Sequence, residues 1–167
     1  SCPMHSTVGA IHQATGNLLS PRWGYWKLKT DKKYASSSLP YGAYMQESAK
    51  VAVNEGLCSY ELLPNYATYS DESYITFPVT KEMRTSAKLN AGGSYVYTTT
   101  VKNSRSIFDS VVKYMYEQKR PVKVGVRWYK EYHREKKTGI IPAYWPDGTW
   151  SGHDMVAVAW KKIEGEL

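Results

Sequence analysis

Ser151-Gly152-His153-Asp154-Met155-Val156-Ala157-Val158-Ala159-Trp160 is the stretch on which the fold turns. His153, Met155, Ala157 and Ala159 share one side of an extended chain, and Val156 and Val158 face the other. The alternation predicts a strand over 153–160 that opens on a histidine. A loop rich in Gly, Pro and Trp precedes it, from Thr138 to Gly152. Further back, Val122-Lys123-Val124-Gly125-Val126 follows Pro121 as a second strand. Ser94 to Val101 is β-rich and alternating, and reads as a third. Between these two, Ser106 with Asp109 has the spacing of a capping box and starts a helix. Ile107, Val111, Val112 and Met115 form its inner face.

The first half of the chain reads as helices. Pro3 suits a first helical turn, where its missing N–H is not needed. Met4, Val8 and Ile11 follow as one apolar stripe, and Gly16-Asn17 ends the helix. Ser20-Pro21 opens a short segment whose Trp23, Tyr25 and Trp26 cannot all be exposed. Tyr41 to Glu55 is a second long helix, with Met45, Ala49 and Ala52 inward and Gly56 as its C-cap. Residues 64–93 are turn-rich and without clear periodicity. Helices first and strands later give an α+β fold class rather than a parallel α/β sheet.

The length of 167 residues fits one domain, and a chain of this size buries roughly 70% of its unfolded surface without disulfide or metal. The chain has no run of about 18 apolar residues, so a membrane-spanning helix is excluded. No charged, then apolar, leader is visible, and the first residue is Ser1, which suggests a processed or truncated chain. Net charge is +7, which invites an acidic partner. The basic clusters Lys27–Lys33 and Arg134–Lys137 contain acidic residues as well, so they read as solvated surface. Tyr (15) and Trp (6) far outnumber Phe (2), which suits half-buried cleft walls and interfaces. The two cysteines, Cys2 and Cys58, are too few for a disulfide framework, and their pairing is left open.

Cys2 stands immediately before a helix. Free N–H groups and the macrodipole at a helix N-terminus favour an anion, so a thiol there is a candidate nucleophile. Its partner would be a histidine, and His153 at the start of a strand is the best candidate. His5 follows Cys2 by three residues, but a Cys-x-x-His metal site needs further ligands and none stands out. His12 and His133 read as surface or packing residues, and Cys58, after the cap Gly56, as a buried thiol. Trp145 and Trp150 flank the His153 loop, as a cleft wall that grips substrate side chains or as a hydrophobic anchor for the loop.

Four blocks in order resemble a papain-like cysteine peptidase, most like bacterial and phage-type members. Ser1-Cys2-Pro3-Met4-His5-Ser6-Thr7-Val8-Gly9-Ala10-Ile11 is similar to the Ser-Cys that opens the family's central helix. Leu19-Ser20-Pro21-Arg22-Trp23-Gly24-Tyr25-Trp26 is similar to its Leu-Ser-Pro with an aromatic helix. Ala52 to Tyr66 resembles a helix ending in Gly, then Glu and a Pro-Tyr pair, here split by Asn65. Arg120 to Val126, Tyr129, Tyr132, Thr138 to Ile141 and Ser151 to Trp160 resemble the strands and turn that carry the catalytic His. The Cys2-to-His153 separation of 151 residues is close to the roughly 130–150 of papain-type enzymes.

The resemblance implies one two-lobed papain-like domain over 1–167. A helical lobe of about 1–66 would carry Cys2, and an antiparallel β-rich lobe of about 94–167 would carry His153. It implies peptide-bond hydrolysis by a Cys2/His153 dyad, with a polypeptide as substrate and no metal or cofactor. The family's oxyanion Gln precedes its Cys and its orienting Asn follows the His strand. Both positions fall beyond the ends of this chain, so either the gene product is longer or catalysis is lost. Losing one oxyanion donor alone costs ~10²–10³ in rate. Asp154, beside the histidine, points to the other face of the strand and is a poor orienter. The alternative is an inactive papain-fold structural or binding protein, for example a component of a phage particle or other large assembly. A nucleic-acid-binding domain, suggested by charge alone, ranks last.

Overall fold

Starts and stops written into the first half of the chain place its helices. The computed structural model describes residues 2–65, 71–95, 104–129, 132 and 148–159. Helix α1 runs Cys2–Thr15, and its Met4 and Val8 are buried. Helix α2 runs Pro21–Thr30. The Ser20 hydroxyl caps it by accepting from the Trp23 N–H at 3.2 Å, and Pro21 supplies a preset first turn. A short 3₁₀ turn, Ala35–Ser38, leads to α3, Met45–Asn54. Gly56 follows with φ +74°, a left-handed conformation that closes the helix. A Cβ there would lie 1.8 Å from the Ala87 carbonyl oxygen, so its absence also lets the helix over residues 81–89 approach.

Helices α4, Asp71–Ile75, and α5, Lys81–Leu89, occupy part of the stretch expected to be only turns. Both are short, and α5 is set by Thr80, whose hydroxyl accepts from the Met83 N–H at 3.2 Å. Helix α6, Ser104–Gln118, precedes β1, Val122–Tyr129, and β2 is Trp150–Ala157. β1 and β2 are antiparallel, from Val122↔Ala157 to Tyr129↔Trp150. β2 therefore begins before His153, because Trp150 to Gly152 pair with Arg127 to Tyr129. Most of the expected 94–101 strand lies outside the described residues, and Ser94 and Tyr95 are not in a strand.

The core lies among the helices. Met4, Trp23, Tyr25, Leu28, Val51 and Leu57 are buried together, joined by Cys58 and Tyr74. Two corrections concern helix faces. On α3 the buried residues are Ser48, Val51 and Ala52, with Met45 and Ala49 half-buried, so the inner stripe is rotated from the apolar pattern. Ser48 can face inward because its hydroxyl is bonded there. On α6, Met115 is buried but Ile107 is 44% exposed. Among the described residues no helix is long and apolar enough to cross a membrane. The described sheet has two strands. An isolated hairpin is marginal in water, so this one depends on its packing against α1.

Candidate active site

Cys2 opens α1, where its thiol is half-buried and not in a disulfide. Cys58 is fully buried and also free, and burial pushes its thiol up to about 12. The two thiols thus differ sharply in accessibility.

The other side of the site is β2. Its pleat divides the candidate residues. His153 pairs with Val126 and shares a face with Trp128, whose ring lies 5.0 Å away at 51°. Trp128 meets Tyr132 edge-on at 5.3 Å, and Tyr132 packs on Tyr129. Trp150, Asp154 and Val156 belong to the opposite face. That face meets α1. Val156 Cγ2 comes within 3.5 Å of where a side chain on Gly9 would begin, so the missing side chain makes room for the strand. Trp150 is 54% exposed, with the Arg127 guanidinium 4.8 Å over its ring. Trp145 and His133 lie outside the described residues. His12 is exposed.

Lys123 stands between the two sides. Its side chain is 15% exposed, and its ammonium lies within hydrogen-bond distance of four acceptors, Pro3 O at 2.9 Å, Thr7 Oγ1 at 3.1 Å, Met45 O at 3.2 Å and Ser48 Oγ at 2.5 Å. The Asp154 carboxylate completes the cluster at 3.8 Å, an ion-pair distance. Burial pulls the lysine down to about 8, against the upward pull of Asp154. Burial also pushes the Asp154 carboxyl above its usual range, opposed by Lys123 and then His153. Asp154 Oδ2 is buried and accepts no hydrogen bond among the described residues. Asp154 is thus turned to Lys123, consistent with its place on the face opposite His153.

Pro3 is the neighbour of Cys2, and Asp154 is the neighbour of His153. The cluster therefore brings the first turn of α1 beside Asp154 of β2, while the His153 ring lies on the other face of the strand with Trp128. Among the described residues, Cys2 and His153 themselves share no hydrogen bond. His5, one turn beyond Cys2, is engaged elsewhere: its Nε2 is 3.0 Å from Asn65 Nδ2, and its ring stacks on Tyr74. Among the described residues no three His, Cys, Asp or Glu side chains converge on a metal-sized site.

Sequence reasoning did not single out Lys123. The alternation of Val122, Val124 and Val126 leaves Lys123 on the other face with Gly125, where a lysine reads as solvated. Its pairing with Asp154 exists only once the strand register is known.

No family model matches the chain, and no curated protein matches it in sequence. Among solved structures, xylellain, a cysteine protease from Xylella fastidiosa, superposes with a TM-score of 0.69 at 15% identity. The match covers 95% of this chain and spans 62% of the length of xylellain. Helices followed by a small antiparallel sheet, with the order and pairing described above, thus share the fold of that solved structure.

Proposed function

We propose that this protein is a papain-like cysteine peptidase, with Cys2 as nucleophile and His153 as its acid–base partner. The observation that carries the reading is the junction at Lys123, which sets the residue after Cys2 beside the residue after His153. The fold shared with a cysteine protease supports it.

In this reading Cys2 Sγ, as thiolate, attacks the peptide carbonyl carbon. The protonated His153 imidazole delivers a proton to the departing amine, and water then hydrolyses the acyl-enzyme with His153 as base. The substrate polypeptide lies in a cleft between the helical part, about 1–66, and the β-rich part, about 94–167. Trp150, exposed at the start of β2, is the wall we assign to its side chains. Catalytic hydrogen bonds often tighten only when substrate binds, so a Cys2–His153 bond is expected in the complex.

The test is the intact mass of the protein after exposure to a thiol-directed peptidase inhibitor, with peptide hydrolysis measured in Cys2→Ala and His153→Ala. One adduct, located on Cys2, and loss of hydrolysis in both variants are expected. Hydrolysis that persists in Cys2→Ala would rule out the nucleophile. An unmodified Cys2 and no hydrolysis would leave a papain-fold binding protein.

A further inference from the structure

We propose that Lys123 is a positioning residue for the Cys2/His153 pair, pinning the strand that carries the histidine to the helix turn that carries the cysteine. This inference rests on the peptidase reading above and adds to it a residue that never touches substrate.

The argument begins with the number of partners. An ammonium has three N–H bonds. Here it is offered four neutral acceptors from two helices and one carboxylate from the neighbouring strand. The acceptors are themselves tied together. The single Thr7 hydroxyl proton has two acceptors in reach, Pro3 O at 2.8 Å and Ser48 Oγ at 3.0 Å, and Ser48 Oγ donates to Met45 O at 2.6 Å. The receptor for the ammonium thus spans α1 and α3 and is made of groups that also bond one another.

The charged surroundings are simple. From β2, Asp154 faces Lys123, with His153 next to it in the chain. From α1 the groups are uncharged Pro3 O and Thr7, with Cys2 beside Pro3. From α3 they are Met45 O and Ser48, while Glu47 is turned to the Ala35 and Ser36 N–H groups. Asp154 is therefore the anion that balances Lys123, and it is covalently next to His153. A rigid tie of this kind matters because a displacement of about 1 Å in a catalytic pair can cost ~10² in rate. The hairpin, marginal alone, would otherwise be free to shift on α1.

The experiment is the rate of Cys2 alkylation by iodoacetamide from pH 4 to 9 on the full chain, with Cys58 as internal control. A cysteine held against a histidine reacts well below the pH of an isolated thiol. Wild type is expected to show this low-pH limb, and His153→Gln to lose it. Lys123→Met, shown by circular dichroism to be folded, is expected to react at least tenfold more slowly at pH 6, with partial rescue in Lys123→Arg. A folded Lys123→Met that keeps the wild-type limb overturns the positioning role and leaves the dyad standing. A wild type without the limb overturns the dyad, and the positioning role with it. If Lys123→Met does not fold, Asp154→Asn replaces it. That variant keeps the lysine and its helix acceptors but removes the ion pair with β2. A threefold or larger slowing at pH 6 supports the proposal, and an unchanged limb overturns it.

Discussion

Lys123→Met should change how stability depends on pH between about 8 and 10.5. The substitution keeps a long unbranched stem and removes the charge. In the folded protein burial lowers the lysine from 10.5 to about 8. Below pH 8 both folded and unfolded chains hold the proton, and the folded state carries the full cost of burying it. Between 8 and 10.5 the unfolded chain is still protonated while the folded one is not, so stability rises with pH. At about 1.4 kcal/mol per pH unit, 2.5 units correspond to about 3 kcal/mol. Wild type should gain about this much over Lys123→Met as pH rises from 7.5 to 10.5. Urea unfolding followed by tryptophan fluorescence at several pH values measures it, and other ionisations largely cancel in the difference. A stability difference that stays constant, or narrows in the variant's favour, would refute the argument. At pH 7.5 the single variant also leaves Asp154 buried without its cation, which costs ~3–5 kcal/mol, whereas Lys123→Met with Asp154→Leu should be neutral or stabilised by ~1–4 kcal/mol. The double variant would then be stable while Cys2 reacts slowly, which separates positioning from stability.

Gly56→Ala forces a side chain into a left-handed backbone and onto the Ala87 carbonyl, and should cost ~2–4 kcal/mol in thermal or urea unfolding. An effect below ~0.5 kcal/mol would mean that α5 is not held where described. Burial works to raise the Glu55 carboxyl, but hydrogen bonds from Lys27, Lys33 and Tyr34 outweigh it and hold the group below its usual value. Its contribution is therefore complete above about pH 5 and is lost as pH falls through the lowered value. Glu55→Gln should destabilise by ~1–2 kcal/mol at pH 7 and by less at pH 3, as read by urea unfolding at the two values. Native protein at pH 8 should take one iodoacetamide at Cys2, and denatured protein two, because burial keeps Cys58 protonated. Equal labelling of both under native conditions contradicts the burial of Cys58.

Helix α1 could be read from Pro3 and the Met4–Val8 stripe, and the β1 and β2 strands from their alternation. These signals are local and periodic. Helix α5 was hidden because its nine residues carry little apolar surface, and its start depends on one capping hydroxyl, Thr80. The face of α3 was misjudged for a different reason. Periodicity assigns apolar residues inward, but Ser48 is buried because a lysine from a distant strand needs its hydroxyl. Cys2 and His153 could be nominated from the sequence, as could the different face of Asp154. The junction that brings their neighbours together could not, since Lys123 and Pro3 are 120 positions apart and meet only through tertiary packing.

The Lys123–Asp154 cluster also constrains how this chain can diverge. Either charge replaced alone leaves the other stranded in a site 11–15% exposed, so each single step crosses a stability valley. The two positions are coupled through the fold, and exchange at one favours compensating exchange at the other. Relatives with a small neutral residue in place of Lys123 should carry a small neutral residue after the strand histidine, and the paired change, more than overall identity, would mark which lineages share this internal salt link.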